Sequence, residues 1–490
     1  MDFLHQRHLS STEKGTLCLQ RLERDLDSLE PTKASQPSVI DTLPNELLVQ
    51  ILQHAAFYGN AHRLVSKRWR KAADSSFWEL ISCGDHNGVA RLATYRRCFD
   101  QRPWLRTLPR TMRLSLDKAS YATINDIAAL LNVCSGIRTL GIHSFSIEIE
   151  PILEAAGRLP KLESITIQFR DLTYSGTPIQ IILHHLKRSP LKSVSLYRYG
   201  LGELLSPYTR WGDNPPHPSQ AVLNATRVLF KSGCADIRSV SLNEPYGAPA
   251  ITAILLTWPK ALEHLSIYSL NSARYWHDKH DMQRILNVQR SSLRNIQIGR
   301  YGGRTPDNSV PDFSLFMSLE KLAMSIYNLL RETPNSAALK MTAPKLRHIV
   351  GDFCTEDQHP ASPDAFGEAE TKWLEDLASH KRKGEKLSAL VNFEIQYHPS
   401  GPDYYGEEDV PWPWNRFSEV EAAISDAGVQ LLWSPKWSEE EWMMLVEKAK
   451  EPETDEEEPA ESVADESAAE EQTASSQGNH DIREYLSSNE

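Results

Sequence analysis

This 490-residue chain has no long apolar run. No stretch approaches the ~18 consecutive apolar residues of a spanning helix, and the N-terminus has no basic segment leading into an apolar core. A membrane-spanning or obviously secreted protein is therefore not expected. Cysteine is scarce and scattered: Cys18, Cys83, Cys98, Cys134, Cys234 and Cys354 form no C-x-x-C pair and have no close histidine partners. That spacing argues against a structural zinc site and a disulfide framework, and fits reduced thiols in the cytosol or nucleus. Reactive motifs are missing too, with no P-loop, no G-x-G-x-x-G after a strand, no G-x-S-x-G and no H-E-x-x-H. The histidine-bearing runs do not replace them. His184-His185 lies in a helix-like segment, and the lysine within His277-Asp278-Lys279-His280-Asp281 suits a polar turn better than a metal site. No catalytic residue, cofactor or metal is expected.

Basic charge is also in short supply overall, but the imbalance is local. The formal net charge is −12, and the last 40 residues, from Glu451, hold fourteen acidic residues against Arg483 alone. The preceding 450 residues are thus close to neutral at +1, which gives no overall sign of a nucleic-acid or membrane surface. The tail is rich in Glu, Ala, Ser and Pro and is expected to be disordered, having too little apolar surface to offset the cost of ordering. One basic stretch stands out: Arg91, Arg96, Arg97, Arg102, Arg106, Arg110 and Arg113 share their segment with a single acid, Asp100. It reads as a solvated connector. Lys381-Arg382-Lys383 reads as a solvated helix end.

Near the N-terminus, Leu22, Leu26 and Leu29 make one short amphipathic helix that ends at Pro31. The most informative stretch follows. Asp41 or Thr42 can cap a helix beginning near Pro44, and Leu47, Leu48, Ile51 and Leu52 recur along it at helical spacing. Leu64, Val65 and Trp69 repeat the pattern, with Lys67, Arg68, Arg70 and Lys71 on the opposite side. Two short helices cannot cover both stripes on each other alone, so apolar surface is left for a partner. In the order Leu43-Pro44, Glu46-Leu47-Leu48, Ile51-Leu52, Leu64-Val65-Ser66-Lys67-Arg68-Trp69 and a later Phe77-Trp78, the stretch resembles an F-box. The resemblance implies a three-helix motif that docks on a Skp-type adaptor and through it on a cullin–RING ubiquitin ligase. It also implies that Leu43, Pro44, Leu47, Leu48, Ile51, Leu64, Val65 and Trp69 are adaptor-facing or motif-core positions. The family's usual leucine run is absent between Leu52 and Leu64, so the middle helix is expected to be short.

Downstream the chain repeats itself. Hexads of the form apolar-x-x-apolar-x-apolar begin at Ile137, Leu162, Leu191, Ile237, Leu262, Leu293 and Leu319, at intervals of 25, 29, 46, 25, 31 and 26. Helix-like segments lie between them, around Ile124–Leu131, Pro151–Ala156, Ile179–Leu183 and Ile251–Leu256. A strand and a helix per repeat, neither able to cover its apolar face alone, build a solenoid. The series resembles degenerate leucine-rich repeats without the asparagine that usually follows the strand. Arg113–Leu116 offers an opening strand, Leu346–Ile349 and Leu387–Leu390 offer later repeats, and Val420–Ile424 with Val429–Trp433 offers a closing pair. Loop insertions are expected at Gly200–Gln220, which explains the interval of 46, at Gly351–Glu370 and at Tyr397–Trp414.

Strand alternation sends the apolar residues to the core and the intervening ones to a concave face: Thr166, Gln168, Ser195, Tyr197, Ser241, Asn243, Ser266, Tyr268 and Gln297. Of these, Gln168, Tyr197, Asn243, Tyr268 and Gln297 are the candidate substrate-binding residues. The expected fold is α/β: an N-terminal helix and linker (1–38), a three-helix F-box (39–82), a basic connector (83–111), an irregular solenoid with parallel strands (112–446) and a disordered acidic tail (447–490). The expected function is that of a non-catalytic substrate-recognition subunit of an SCF-type ubiquitin ligase, cytoplasmic or nuclear, with an adaptor at one end and an unknown protein substrate at the other. Neither nucleic acid nor membrane is expected as a partner. An F-box scaffold that assembles complexes without ubiquitin transfer is the alternative.

Overall fold

The computed structural model describes residues 78–83, 88–116, 120–144, 149–169, 179–197, 232–243, 249–268, 279–299, 301, 310–352, 368–384, 386–396, 414–434, 438, 440, 441, 443, 444 and 447. The described strands form one sheet of twelve, ordered along the sheet as along the chain, and every neighbouring pair is parallel. They are β1 Leu80–Cys83, β2 Thr111–Ser115, β3 Thr139–Ser144, β4 Ser164–Phe169, β5 Ser193–Tyr197 and β6 Ser239–Asn243. Next come β7 His264–Tyr268, β8 Asn295–Ile298, β9 Lys321–Ser325, β10 His348–Asp352, β11 Asn392–Gln396 and β12 Gln430–Ser434. Helices occupy most of the crossovers: α1 Gly88–Gln101, α2 Tyr121–Val133, α3 Glu150–Gly157, α4 Ile179–Leu186, α5 Pro249–Leu256 and α6 Lys279–Asn287. After β9 come α7 Ile326–Leu330, α8 Pro334–Lys340, α9 Glu368–Arg382 and α10 Trp414–Ser425. Successive helices pack side by side, α2 on α3 on α4, α5 on α6, and α8 on α9 on α10.

The hexads explain this order. Their first apolar residues, from Ile137 to Leu319, are all buried, as are Leu346, Leu390 and Val429 in the later turns. The second apolar position forms a row across the sheet, Leu140–Ile165–Val194–Val240–Leu265–Ile296–Leu322–Ile349–Phe393–Leu431. A parallel row runs two residues on, from Ile142 through Ile167, Leu196, Leu242 and Ile267 to Ile298 and Met324. Both rows join the buried faces of the helices in one continuous cluster. A period of two on each strand thus gives every strand one apolar face, and stacking covers it.

Three features extend or correct the sequence reading. First, the sheet begins earlier, with β1, whose Ile81 and Cys83 point into the core. Within the stretch expected as a basic connector, α1 and a 3₁₀ turn at Pro103–Thr107 bury Leu92, Phe99 and Leu105. Second, the repeat expected at Leu387–Leu390 is a turn, and the strand follows at Asn392–Gln396. Leu387 is buried with a positive φ of 57°, so the chain reverses there, and Leu390 takes the first apolar position before Phe393 and Ile395. Third, β5 pairs directly with β6 across the interval of 46, so the two are neighbours in the sheet despite the longer connection. The insertion Gly200–Gln220 itself lies outside the described residues, as do the N-terminal helix and the acidic tail.

Helix layers touch closely at one glycine. A Cβ built on Gly157, at the end of α3, would lie 2.2 Å from the backbone oxygen of His185 in α4. Gly157→Ala should therefore push α3 and α4 apart and cost ~1–3 kcal/mol, read as a lower midpoint in thermal or urea unfolding. An unchanged midpoint would show that the contact is looser than this.

Candidate interaction surface

The face turned away from the core carries the odd positions of each strand, and the parallel register sorts them into three columns. The first runs Thr139–Ser164–Ser193–Ser239–His264–Asn295–Lys321–His348–Asn392. The second runs Arg113–Gly141–Thr166–Ser195–Ser241–Ser266–Gln297–Ala323–Val350–Glu394. A third runs His143–Gln168–Tyr197–Asn243–Tyr268. From β3 to β7 the first two columns hold one histidine, one glycine and otherwise only serine or threonine, so the floor of the surface is low and hydroxyl-lined. Tyr197 and Tyr268 flank it on the third column. Both are half-buried.

The sequence-predicted residues Gln168, Tyr197, Asn243 and Tyr268 therefore lie in one column, and Gln297 is beside Ser266 in the next. Asn243 is only 7% exposed and offers a ligand little surface. At the far end the surface changes character. His348 Nε2 lies 2.9 Å from Glu394 Oε2, Lys321 Nζ lies 3.7 Å from the same oxygen, and Gln396 donates to Glu394 Oε1 at 3.0 Å. Sequence reading missed this cluster because its members are some 73 residues apart along the chain (321 to 394) and only the strand register brings them together.

A ladder of charge borders the first column, from the residue just before each strand: Arg110, Arg138, Glu163, Lys192, Arg238, Glu263, Arg294, Glu320 and Arg347. Three couples of neighbouring rungs with opposite signs pair, Lys192 with Glu163 at 3.5 Å, Arg238 with Glu263 at 2.9 Å and Arg294 with Glu320 at 3.7 Å. These pairs are largely exposed and contribute little individually. They neutralise that rim of the surface over β4 to β9.

Other candidate residues fall elsewhere. His184 is exposed, while His185 Nε2 meets Glu150 Oε1 at 3.1 Å on the helix side. Of the His277–Asp281 run, the described part opens α6, where Asp281 pairs with Arg284 at 2.9 Å. Lys381 and Arg382, at the end of α9, are not solvated alone but also reach back to backbone carbonyls. Lys381 Nζ donates to the Gly428 carbonyl at 2.6 Å and Arg382 to that of Ala423 at 3.3 Å, which ties α9 to the closing unit.

Leu43, Pro44, Leu47, Leu48, Ile51, Leu64, Val65 and Trp69 lie outside the described residues, as does the segment where a short middle helix is expected. What is described of that region is its end. Trp78 is buried, with its ring 5.8 Å from Tyr95 and 5.3 Å from Phe99 of α1, and two residues later the chain enters β1. The same core therefore holds this segment and the first repeat.

Burial of the His348 ring, followed by the Lys321 ammonium, holds its pKa below the ordinary value of 6.5, while Glu394 pulls it up. A depressed histidine contributes stability that is present above 6.5 and lost as pH falls from there toward its lower folded value. Between about pH 7.5 and about pH 5.5 the urea midpoint should fall more in the wild type than in His348→Gln. Equal falls would mean that His348 titrates normally.

No curated protein sequence matches the chain. The family comparison does place its N-terminal part: residues 40–83, which run through the buried Trp78 and end with β1, match the F-box-like family, so the chain carries an F-box-like domain joined directly to the head of its parallel sheet.

Proposed function

We propose that the chain is the substrate-recognition subunit of an SCF-type ubiquitin ligase, its F-box-like domain docking on a Skp-type adaptor and its leucine-rich-repeat-like solenoid holding a protein substrate. One observation carries this reading: a segment matching an adaptor-binding family ends, at residues 78–83, in the core of a long sheet whose second face is polar and partly exposed from β3 to β8. The hydroxyl floor and the two tyrosines suit a polypeptide laid across the strands, with backbone hydrogen bonds to the floor and the rings as anchors. No residue of the chain needs to react. Holding a substrate lysine near a ubiquitin thioester carried by another subunit turns a bimolecular encounter into an effectively intramolecular one.

Two sets of variants test the two ends separately. Leu48→Asp or Ile51→Asp places a carboxylate at an expected adaptor-facing position and should abolish co-purification with the adaptor, because an unpaired buried charge is costly. Tyr197→Ala with Tyr268→Ala should leave the adaptor bound and weaken client capture about tenfold or more, as loss of aromatic anchors does. Adaptor binding without any cullin or ubiquitinated client would favour an assembly scaffold.

A further inference from the structure

The charged rim is balanced along most of its length but not at its start. Arg110 and Arg138 occupy adjacent rungs, the Arg138 N–H donating to the Arg110 carbonyl at 2.7 Å. Arg113 stands on the second column of the same corner, its Cγ 3.9 Å from where a Cβ on Gly141 would be. All three guanidinium-bearing side chains are exposed. Among the described residues none of the three has an ion-pair partner. The flanking acids are occupied: Glu163 pairs with Lys192 at 3.5 Å, and Glu79 on the preceding rung has an interaction of its own. Neighbouring like charges repel, and a glycine instead of a side chain at position 141 leaves Arg113 room to turn toward a ligand over the floor. Elsewhere on the rim from β4 to β9 the opposite charge comes from within the chain; here, among the described residues, no acid pairs with the three arginines.

We infer that Arg110, Arg113 and Arg138 form a docking corner for an acidic peptide segment of the protein held on the open face. The corner fixes the polarity of that protein, since its carboxylate-rich segment lies over β2 and β3, at the end joined to the F-box-like domain. Three guanidinium groups presented as forks, with no internal partner to displace, match side-chain carboxylates spaced along an extended chain. The inference rests on reading the open face as a substrate surface. It adds the chemistry of one part of that substrate.

The test uses the full chain bound to its adaptor, with a labelled short peptide of alternating Glu and Ser as probe and its Gln–Ser counterpart as control. Fluorescence anisotropy should show binding of the Glu–Ser peptide alone, weakened by salt and weakened about tenfold in the triple variant R110E/R113E/R138E. The milder R110Q/R113Q/R138Q should show the same direction. Its unfolding midpoint, compared with the wild type, separates lost docking from lost folding. Arg158→Glu on the helix layer should bind as the wild type does. Equal binding of both peptides, or unchanged binding in both triple variants, would overturn the inference. Binding that emerges only when residues 451–490 are removed would assign the corner to the chain's own acidic tail and overturn it in favour of an internal occupant. If the arginine variants lose the probe while Tyr197→Ala and Tyr268→Ala leave client capture intact, the corner stands and the tyrosine-anchored surface does not. The reverse pattern removes the corner alone.

Discussion

One hydrogen-bond arrangement, repeated from turn to turn, holds the strands in step. The carbonyl of the residue before a strand accepts the N–H groups of two consecutive residues from the next repeat. Arg138 and Thr139 both donate to Arg110, at 2.7 and 2.9 Å, and Glu163 and Ser164 both donate to Arg138, at 2.8 and 2.9 Å. The same pairing continues through Glu163, Lys192, Arg238, Glu263, Arg294, Glu320 and Arg347. A carbonyl has two lone pairs, and here both are used, so each turn satisfies two donors that would otherwise face the first apolar residue of the repeat. Because the pairing fixes where every strand starts, apolar residues fall into rows and hydroxyls into columns. A one-residue slip would send each row to the wrong face.

This constraint decides which end of a repeat can vary. This pairing ties the approach to each strand to the preceding turn, so added length there would disturb the register. The long sequence insertions follow strand C-terminal ends accordingly: Gly200–Gln220 after β5, Gly351–Glu370 from the last residues of β10, and Tyr397–Trp414 after β11. Where the described residues of a repeat hold no helix on the core side, other groups line the core. Between β8 and β9 the space is taken by Phe313 and Phe316, both buried and 5.4 Å apart. Buried amides complete the joints. Gln289 donates to the carbonyls of Leu256 and Pro259 at 2.7 and 3.0 Å and accepts from the Leu262 N–H at 3.3 Å, so a polar side chain within the core has its hydrogen bonds filled.

The residues show why part of this was legible beforehand. Hexads such as Leu162–Ile167 carry a period of two behind a leading apolar residue, which only a buried strand edge needs, so strand positions, order and open-face residues could be read directly. Leu80–Cys83 has just two inward residues, Ile81 and Cys83, and they follow a helical motif, so β1 had no pattern of its own. In α1 the arginines drew attention away from Leu92 and Phe99, the residues that fix the helix to the core. The leucines at 387 and 390 offered two registers, and only the positive φ at Leu387 distinguishes them. Contacts between neighbouring repeats, such as His348 with Glu394 or Gln289 with Leu256, join residues far apart in sequence, depend on the stacking itself and leave no local trace.

The junction at Trp78 has a consequence for the proposed function. Effective concentration in a tethered system falls steeply with the length of a flexible linker. A substrate held on a solenoid that swung freely from its adaptor would meet the ubiquitin donor only in a small fraction of orientations. Here the end of the matched F-box-like segment is itself core: Trp78 packs on Tyr95 and Phe99, and Ile81 and Cys83 enter the first strand. Moving residues 78–83 relative to the sheet would require Trp78 to leave its aromatic neighbours, and removing a buried tryptophan from its packing costs on the order of 3–5 kcal/mol. Residues 78–83, the described end of the matched segment, are therefore held to the sheet by the same hydrophobic cluster that stacks the repeats.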